Sequence, residues 1–503
     1  MFHIRTVKTT SEATAVQVVK YENRKPKVIK HIGSAHNKQE LEVLKKAARD
    51  WIEKNSGQKV LLPVDKLDQL DKSDLVSLKQ LQYLGVTYSF IHECLTQLFD
   101  HFEFDRLENR MISDLALIRI IEPASKLRSF ELLEELFGIK YQLRDFYRLA
   151  GSFSKHKNTI ENMVTNIAKN ELGFNFSLVF YDVISFYFEA FGEDELRKPG
   201  FSKDGKSNQP QILIGLVVNR EGFPVAYEVF EGNTFEGKTI IPVILTFKEQ
   251  HHIRKLTVIA DAAMISKDNI AELKSKKLHY IVGARMASLS AGTIQRVSKK
   301  LNKKDGADLR TRTKLGNLVV SFSEARYKKD KREMEKQIAK AEILLKEPGK
   351  IKRAKFLQNT GKNKKPSLKL NETLVKKTES LLGIKGYYTN LGRVDNQMII
   401  RQYHDLWSVE HAFRIAKSDL QMRPIYHFKK ETIAAHALIC FMALAVCRYM
   451  ELKTGKSTKK IIQQLKKVTD AKILNIQTDR TITMRSTISE ETRELMDRLG
   501  LSH

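Results

Sequence analysis

Cysteine is scarce: Cys94, Cys440 and Cys447 are the only three in 503 residues. They are too few and too far apart for a disulfide framework, or for a zinc site, which needs clustered Cys and His ligands. A reducing compartment follows. No apolar run reaches the roughly 18 to 20 residues of a membrane span. The most apolar stretch, Ile433 to Val446, contains His436 and reads as a buried helix with Cys440 and Cys447 on one face. The opening MFHIRTVKTTSEA lacks the basic-then-apolar pattern of a secretion signal. The expectation is a cytoplasmic protein without membrane contact, associated with the nucleoid if the host is bacterial. Acids are also under-represented, with 59 Asp+Glu against 87 Lys+Arg and a formal net charge of +28. Such an excess draws phosphate-bearing partners, and nucleic acid is the expected one.

The length predicts two to four domains, by a prior of roughly 100 to 200 residues each. Residues 1–35 form a small N-terminal segment with β-like alternation, as in Ala15 to Tyr21. Residues 36–170 turn helical, in runs such as Gln39 to Asn55, Leu75 to Leu84, Ser89 to Phe99, Arg110 to Ile121 and Lys126 to Phe137. Ser125 suits the cap of the last of these and Gly138 its stop. A helical region of this size is a candidate DNA-end-binding domain, although short helices are also what any bundle looks like.

From residue 171 to 285 the period changes. Leu178 to Phe188, Gln211 to Val218 and Phe223 to Phe230 are rich in Val, Ile, Phe and Tyr, and Asn219-Arg220-Glu221-Gly222 is a tight-turn sequence between the latter two. A helix over Thr239 to Gln250, a strand over Lys255 to Ala260, a helix over Ser266 to Lys276 and a strand over His279 to Gly283 follow. Three strands, helix, strand, helix, strand is the order of a ribonuclease-H-like α/β core. Residues 286–383 read as a basic insertion, and 384–450 return to the core with a strand over Lys385 to Asn390 and a helix over Gln402 to Met422. Residues 451–503 remain as a basic tail. There is no convincing internal repeat.

Three acids stand out on this frame. Asp182 interrupts an apolar strand, where an unpaired charge is costly. Asp261 ends a strand, where it could also simply cap the following turn. Glu410 alone is an ordinary helix acid, but Tyr403 and Lys417 lie seven residues to either side, close to one helical face, with Arg414 one turn on. Neighbouring first and fourth strands would bring Asp182 and Asp261 together, and Glu410 would complete a set of hard oxygen ligands suited to two Mg²⁺ or Mn²⁺ ions. Arg414 and Lys417 suit phosphates, while Trp407 or Tyr403 suits stacking on a base, unless both aromatics are core.

Several ordered blocks carry a resemblance: Tyr181-Asp182-Val183-Ile184-Ser185-Phe186-Tyr187-Phe188-Glu189, Phe201-Ser202-Lys203-Asp204-Gly205-Lys206, Phe230-Glu231-Gly232-Asn233-Thr234, Val258 through Met264, Tyr280 through Arg285, Tyr403 through Lys417, and Arg423-Pro424-Ile425-Tyr426-His427. In these the chain resembles DDE transposases of bacterial insertion sequences. It looks most similar to the family with a Tyr, Arg, Glu, Lys signature, in the group numbered sixteen-thirty-four. The signature's Tyr, Glu and Lys fall on Tyr403, Glu410 and Lys417, whereas its Arg position holds Leu406, and Ser185 stands where a Thr is expected. The resemblance implies catalytic and metal-binding roles for Asp182, Asp261 and Glu410, and DNA contacts by Tyr403, Trp407, Arg414 and Lys417. It also implies double-stranded DNA partners, namely terminal inverted repeats and target DNA, and a dimer when two ends are synapsed. A ribonuclease-H-like structure-specific nuclease and a catalytically silent DNA-binding descendant are the competing readings.

Overall fold

A computed structural model of the chain describes residues 2–9, 13–22, 25–56, 80–188, 192–200, 208–264, 266–346, 354–359, 368–423, 425–476 and 478–502. The block Phe201 to Lys206, together with Glu189 and Pro424, lies outside them, as do parts of the basic insertion. The chain divides into two compact units, Met1–Leu84 with Ile473–Ile482, and Gly85–Lys472 with Thr483–His503.

The smaller unit holds an antiparallel sheet of Phe2–Lys8, Thr14–Glu22 and Lys25–Ala35, with the middle strand second in sequence. Val16 and Val18 of that strand are fully buried with Ala48 of the helix Lys38–Ser56, and Leu44 and Trp51 pack against them. Burial of these side chains is what orders so short a sheet.

The larger unit opens with helices whose ends are written in the sequence. Asn109 caps Arg110–Ile121, Ser125 caps Lys126–Phe137 by accepting from the Arg128 amide, and Gly138 ends that helix at φ 72°. One expectation fails just before these helices in the chain. Residues 81–84 belong to a strand, Leu81–Thr87, rather than to a helix, and residues 75–79 lie outside the described part. Its partner is Asp470–Asn475, far along the chain, so local period could not reveal it.

A nine-stranded sheet forms the heart of the unit. Leu178–Tyr187 is its centre, flanked on one side by Pro210–Val218 antiparallel and on the other by Thr257–Ala260 parallel. Pro224–Glu231 pairs with Pro210–Val218, and His279–Ala284 runs parallel to Thr257–Ala260. The helices Ile240–Gln250 and Lys267–Ser275 intervene in the expected order. The core is therefore ribonuclease-H-like. Pro210–Val218 is buried at every residue, as a strand covered on both faces must be. The turn that launches its partner needs Gly222, which has φ +75° and lies so near the Ser408 carbonyl that a Cβ would meet that oxygen at 2.8 Å.

Residues 286–383 do more than interrupt the core. Asp308–Thr313 and Gly316–Phe322 extend the same sheet by pairing, through Gly316–Phe322, with the returning strand Ile384–Thr389, which itself lies antiparallel to His279–Ala284. Lys430–Thr454 crosses the unit as an almost wholly buried helix. Among the described residues it alone is long and apolar enough to span a membrane, yet 94% of its most apolar window is buried within the protein. Burial in a core accounts for its composition equally well.

Candidate functional site

Strand register makes the first part of the site. Tyr181 pairs with Ala260 in the parallel ladder, so Asp182 and Asp261 occupy the next positions along neighbouring strands. The alternation of the central strand turns Asp182 away from the fully buried Tyr181 and leaves it half-buried. Its Oδ1 accepts from the Val183 amide at 2.8 Å. Asp261 is exposed where its strand ends, and its Oδ1 accepts from the Ala262 amide at 2.7 Å and from the Tyr403 hydroxyl at 3.1 Å.

The segment expected as one helix over Gln402 to Met422 is broken. Asn396–His404 ends, Asp405 and Leu406 turn, Trp407–Arg414 follows, and a π-turn over Ile415–Asp419 closes it. Amide bonds from Leu406 to Tyr403, Ser408 to Asp405 and Val409 to Leu406 tighten the junction, and Arg220 holds the Asp405 carboxylate at 2.9 Å. Tyr403 and Glu410 therefore sit on different helices.

Glu410 is exposed and lines a cavity of about 350 Å³ together with Asp182, Glu236, Arg414 and Lys417. Thus the fold brings Asp182 to Asp261 by register and to Glu410 by a shared cavity. Among the described residues no three Asp, Glu, His or Cys groups converge tightly enough to hold a metal ion as they stand. The donors are nevertheless all carboxylate oxygens, the class that Mg²⁺ and Mn²⁺ take. In the chemistry of its donor set, the site fits such an ion.

Two groups in this neighbourhood escaped the sequence reading. Lys385, on the returning strand, holds its ammonium 4.8 Å from the Tyr403 ring centre and 5.8 Å from that of Tyr387. Burial and the nearby Arg326 lower its pKa, while Asp261 and Glu410 oppose that shift, so Lys385 feels two of the three acids at once. Its only sequence signal was a lysine at the start of a strand. Glu236 belongs to a short 3₁₀ turn just beyond the Phe230 to Thr234 block, and nothing in its local pattern marks it.

The remaining expected residues divide by exposure. Tyr403 is buried, with its pKa raised by burial first and then by the charge of Asp261. One face of its ring is taken by Lys385. Trp407 is 60% exposed, Arg414 is exposed and Lys417 half-buried. Leu406, at the signature's Arg position, is buried.

Among solved structures, a cryo-EM piggyBac transposase synaptic complex with hairpin DNA is similar at 10% identity, over 75% of this chain and 77% of that one, with a TM-score of 0.39. A Mos1 transposase paired-end complex with left transposon end is similar at 12% identity, over 47% of this chain and 71% of that one, with a TM-score of 0.16. No curated protein matches the chain. The model of the transposase DDE domain family matches residues 186–446, a segment that includes Asp261 and Glu410 and starts four residues after Asp182. That segment is more than half of the 503 residues, and the chain belongs to the family of DDE-domain transposases.

Proposed function

We propose that this chain is the transposase of a bacterial insertion sequence, cutting DNA at the terminal inverted repeats of its element and joining the freed ends to target DNA. Asp182, Asp261 and Glu410 are the catalytic carboxylates and the holders of two Mg²⁺ or Mn²⁺ ions. The observation that carries this is the strand register that sets Asp182 beside Asp261, together with the cavity that Asp182 shares with Glu410. When bound, such ions activate an attacking oxygen and stabilise a leaving one in a displacement at phosphorus.

The chain's own groups do the positioning. The Tyr403 hydroxyl fixes one oxygen of Asp261 and leaves the other for a ligand. Arg414 and Lys417, on the wall beside Glu410, offer charge-assisted hydrogen bonds to the phosphates flanking the scissile bond. Trp407 is exposed enough for a base to stack on it. Holding reactants in this way supplies most of the catalysis expected at a metal-dependent phosphoryl-transfer site. Two ends must meet for transposition, so a dimer is expected on DNA.

The test uses the full chain with duplexes carrying the DNA that flanks its coding region. Asp182→Asn, Asp261→Asn and Glu410→Gln should each abolish Mg²⁺-dependent cleavage and strand joining while leaving end binding in a gel shift. Retained cleavage in any of the three would remove that residue from the site. Cleavage without joining by the unaltered protein would make it a nuclease, and binding without either would make it a silent descendant.

A further inference from the structure

A second cavity, of about 200 Å³, lies in the larger unit and is lined by Arg119, Lys126, Arg423, His427 and His436. Among the described residues no carboxylate lines it. Arg119, Lys126, His427 and His436 are each at least 95% buried, with exposures of 3%, 5%, 5% and 4%. Arg423 is half-buried and Tyr426, at the mouth, is 62% exposed, so the cavity opens to solvent.

Its hydrogen bonds leave positive groups without an anion. Arg119 spends its two terminal nitrogens on the carbonyls of Leu420, Gln421 and Ala124, at 2.8 to 3.2 Å. The His436 Nε2–H donates to the Met422 carbonyl at 3.0 Å, which leaves Nδ1 to accept from the Lys126 ammonium at 3.4 Å. The Arg119 Nε and the His427 Nδ1 are buried without a hydrogen-bond partner among the described residues. The cavity also meets the N-terminus of the helix Lys126–Phe137, whose dipole favours negative charge. Burial together with the Arg119 guanidinium pushes the Lys126 pKa down to about 7, and no carboxylate offsets this. Burial holds His427 and His436 neutral, so Arg119 and Lys126 are the buried cations here, and two such charges beside an unpartnered guanidinium Nε are costly unless an anion completes them.

We propose that this cavity is a binding site for a phosphate group, separate from the carboxylate site, with Lys126, His427 and Arg119 as its ligands. It gives a role to Arg423, Tyr426 and His427, which the carboxylate chemistry leaves unused. The phosphate belongs either to a DNA backbone or to a small phosphate ion, and the proposal stands apart from the transposase reading because it needs no cleavage.

The test is a thermal melt of the full chain in inorganic phosphate against chloride of equal ionic strength, beside anisotropy titrations with a short duplex of arbitrary sequence. Lys126→Met and His427→Gln are the variants. Lys126→Met removes a buried cation, so it should melt no lower than the unaltered protein in chloride, which separates ligand loss from misfolding. A phosphate-specific melting shift, lost in both variants, supports the site with free phosphate as its source. No such shift, but duplex affinity weakened about tenfold in both variants, supports it with DNA as the source. If neither phosphate stabilisation nor duplex affinity depends on Lys126 and His427, the proposal is overturned.

Discussion

Adding a single methyl group at Gly283 probes the contact that orients Asp261. Gly283 pairs with Tyr387 in the sheet, and a Cβ built there meets the Tyr403 hydroxyl oxygen at 2.5 Å, the Ala262 amide nitrogen at 3.0 Å and the Ala262 Cβ at 3.1 Å. Tyr403 is 5% exposed, so its ring has little room to swing aside. Gly283→Ala must therefore lift the hydroxyl from Asp261 or push the turn that carries Asp261. Overpacking of this kind costs about 1–3 kcal/mol, and the lost hydrogen bond about 1 kcal/mol more. Tyr403→Phe alone should cost only about 1 kcal/mol. The phenylalanine lacks the oxygen that the methyl strikes, so the double variant should be less destabilised than the sum of the two, by about 1–2 kcal/mol. Urea denaturation at unchanged slope measures each term. In the cleavage assay Gly283→Ala should lose about tenfold or more in rate, because displacement of a catalytic group by a fraction of an ångström is enough. A Gly283→Ala protein within about 0.5 kcal/mol of the unaltered one, or a double variant that is simply additive, would refute this geometry.

Three further substitutions test the body of the fold. Glu161 is 2% exposed, and burial raises its pKa to about 7 despite Lys157 at 3.2 Å and the Tyr227 amide at 2.9 Å. A carboxyl raised on folding binds its proton more tightly in the folded state, so its stabilising contribution is full below about pH 4.5 and is lost as pH rises towards 7. Glu161→Gln should flatten that decline in denaturation midpoints measured across this range. Asp470 is fully buried and held by Arg485 through Nε at 2.8 Å and Nη2 at 3.3 Å, while Arg485 also grips Glu93. Arg485→Met should destabilise by about 3 kcal/mol by stranding the Asp470 charge. Adding Asp470→Asn should recover part of that loss in the same urea titration.

Much of the core was legible in local chemistry. Runs rich in Val, Ile, Phe and Tyr, the Asn219 to Gly222 turn and the Ser125 cap follow from preferences that act within a few residues, and the strands and helices of the core stand within two residues of where those signals put them. Asp182 was conspicuous because a charge in an apolar strand needs a reason. The break at Asp405 and Leu406 was hidden, since a continuous helical period runs through it, and it is tied down by Arg220 from a distant turn. The strand Leu81–Thr87 was missed for a similar cause.

By itself the sequence determined the element order from Leu178 to Ala284, the basic balance and the presence of the three acids, because each is a matter of residue type and spacing along the chain. Only the tertiary structure decided which groups meet. It set Lys385 over Tyr403 beside Asp261, put Glu236 in the cavity of Asp182 and Glu410, and gathered Arg119, Lys126, His427 and His436 around a space that no described carboxylate lines. Register, burial and charge proximity join residues far apart in the chain, and no local pattern encodes those meetings.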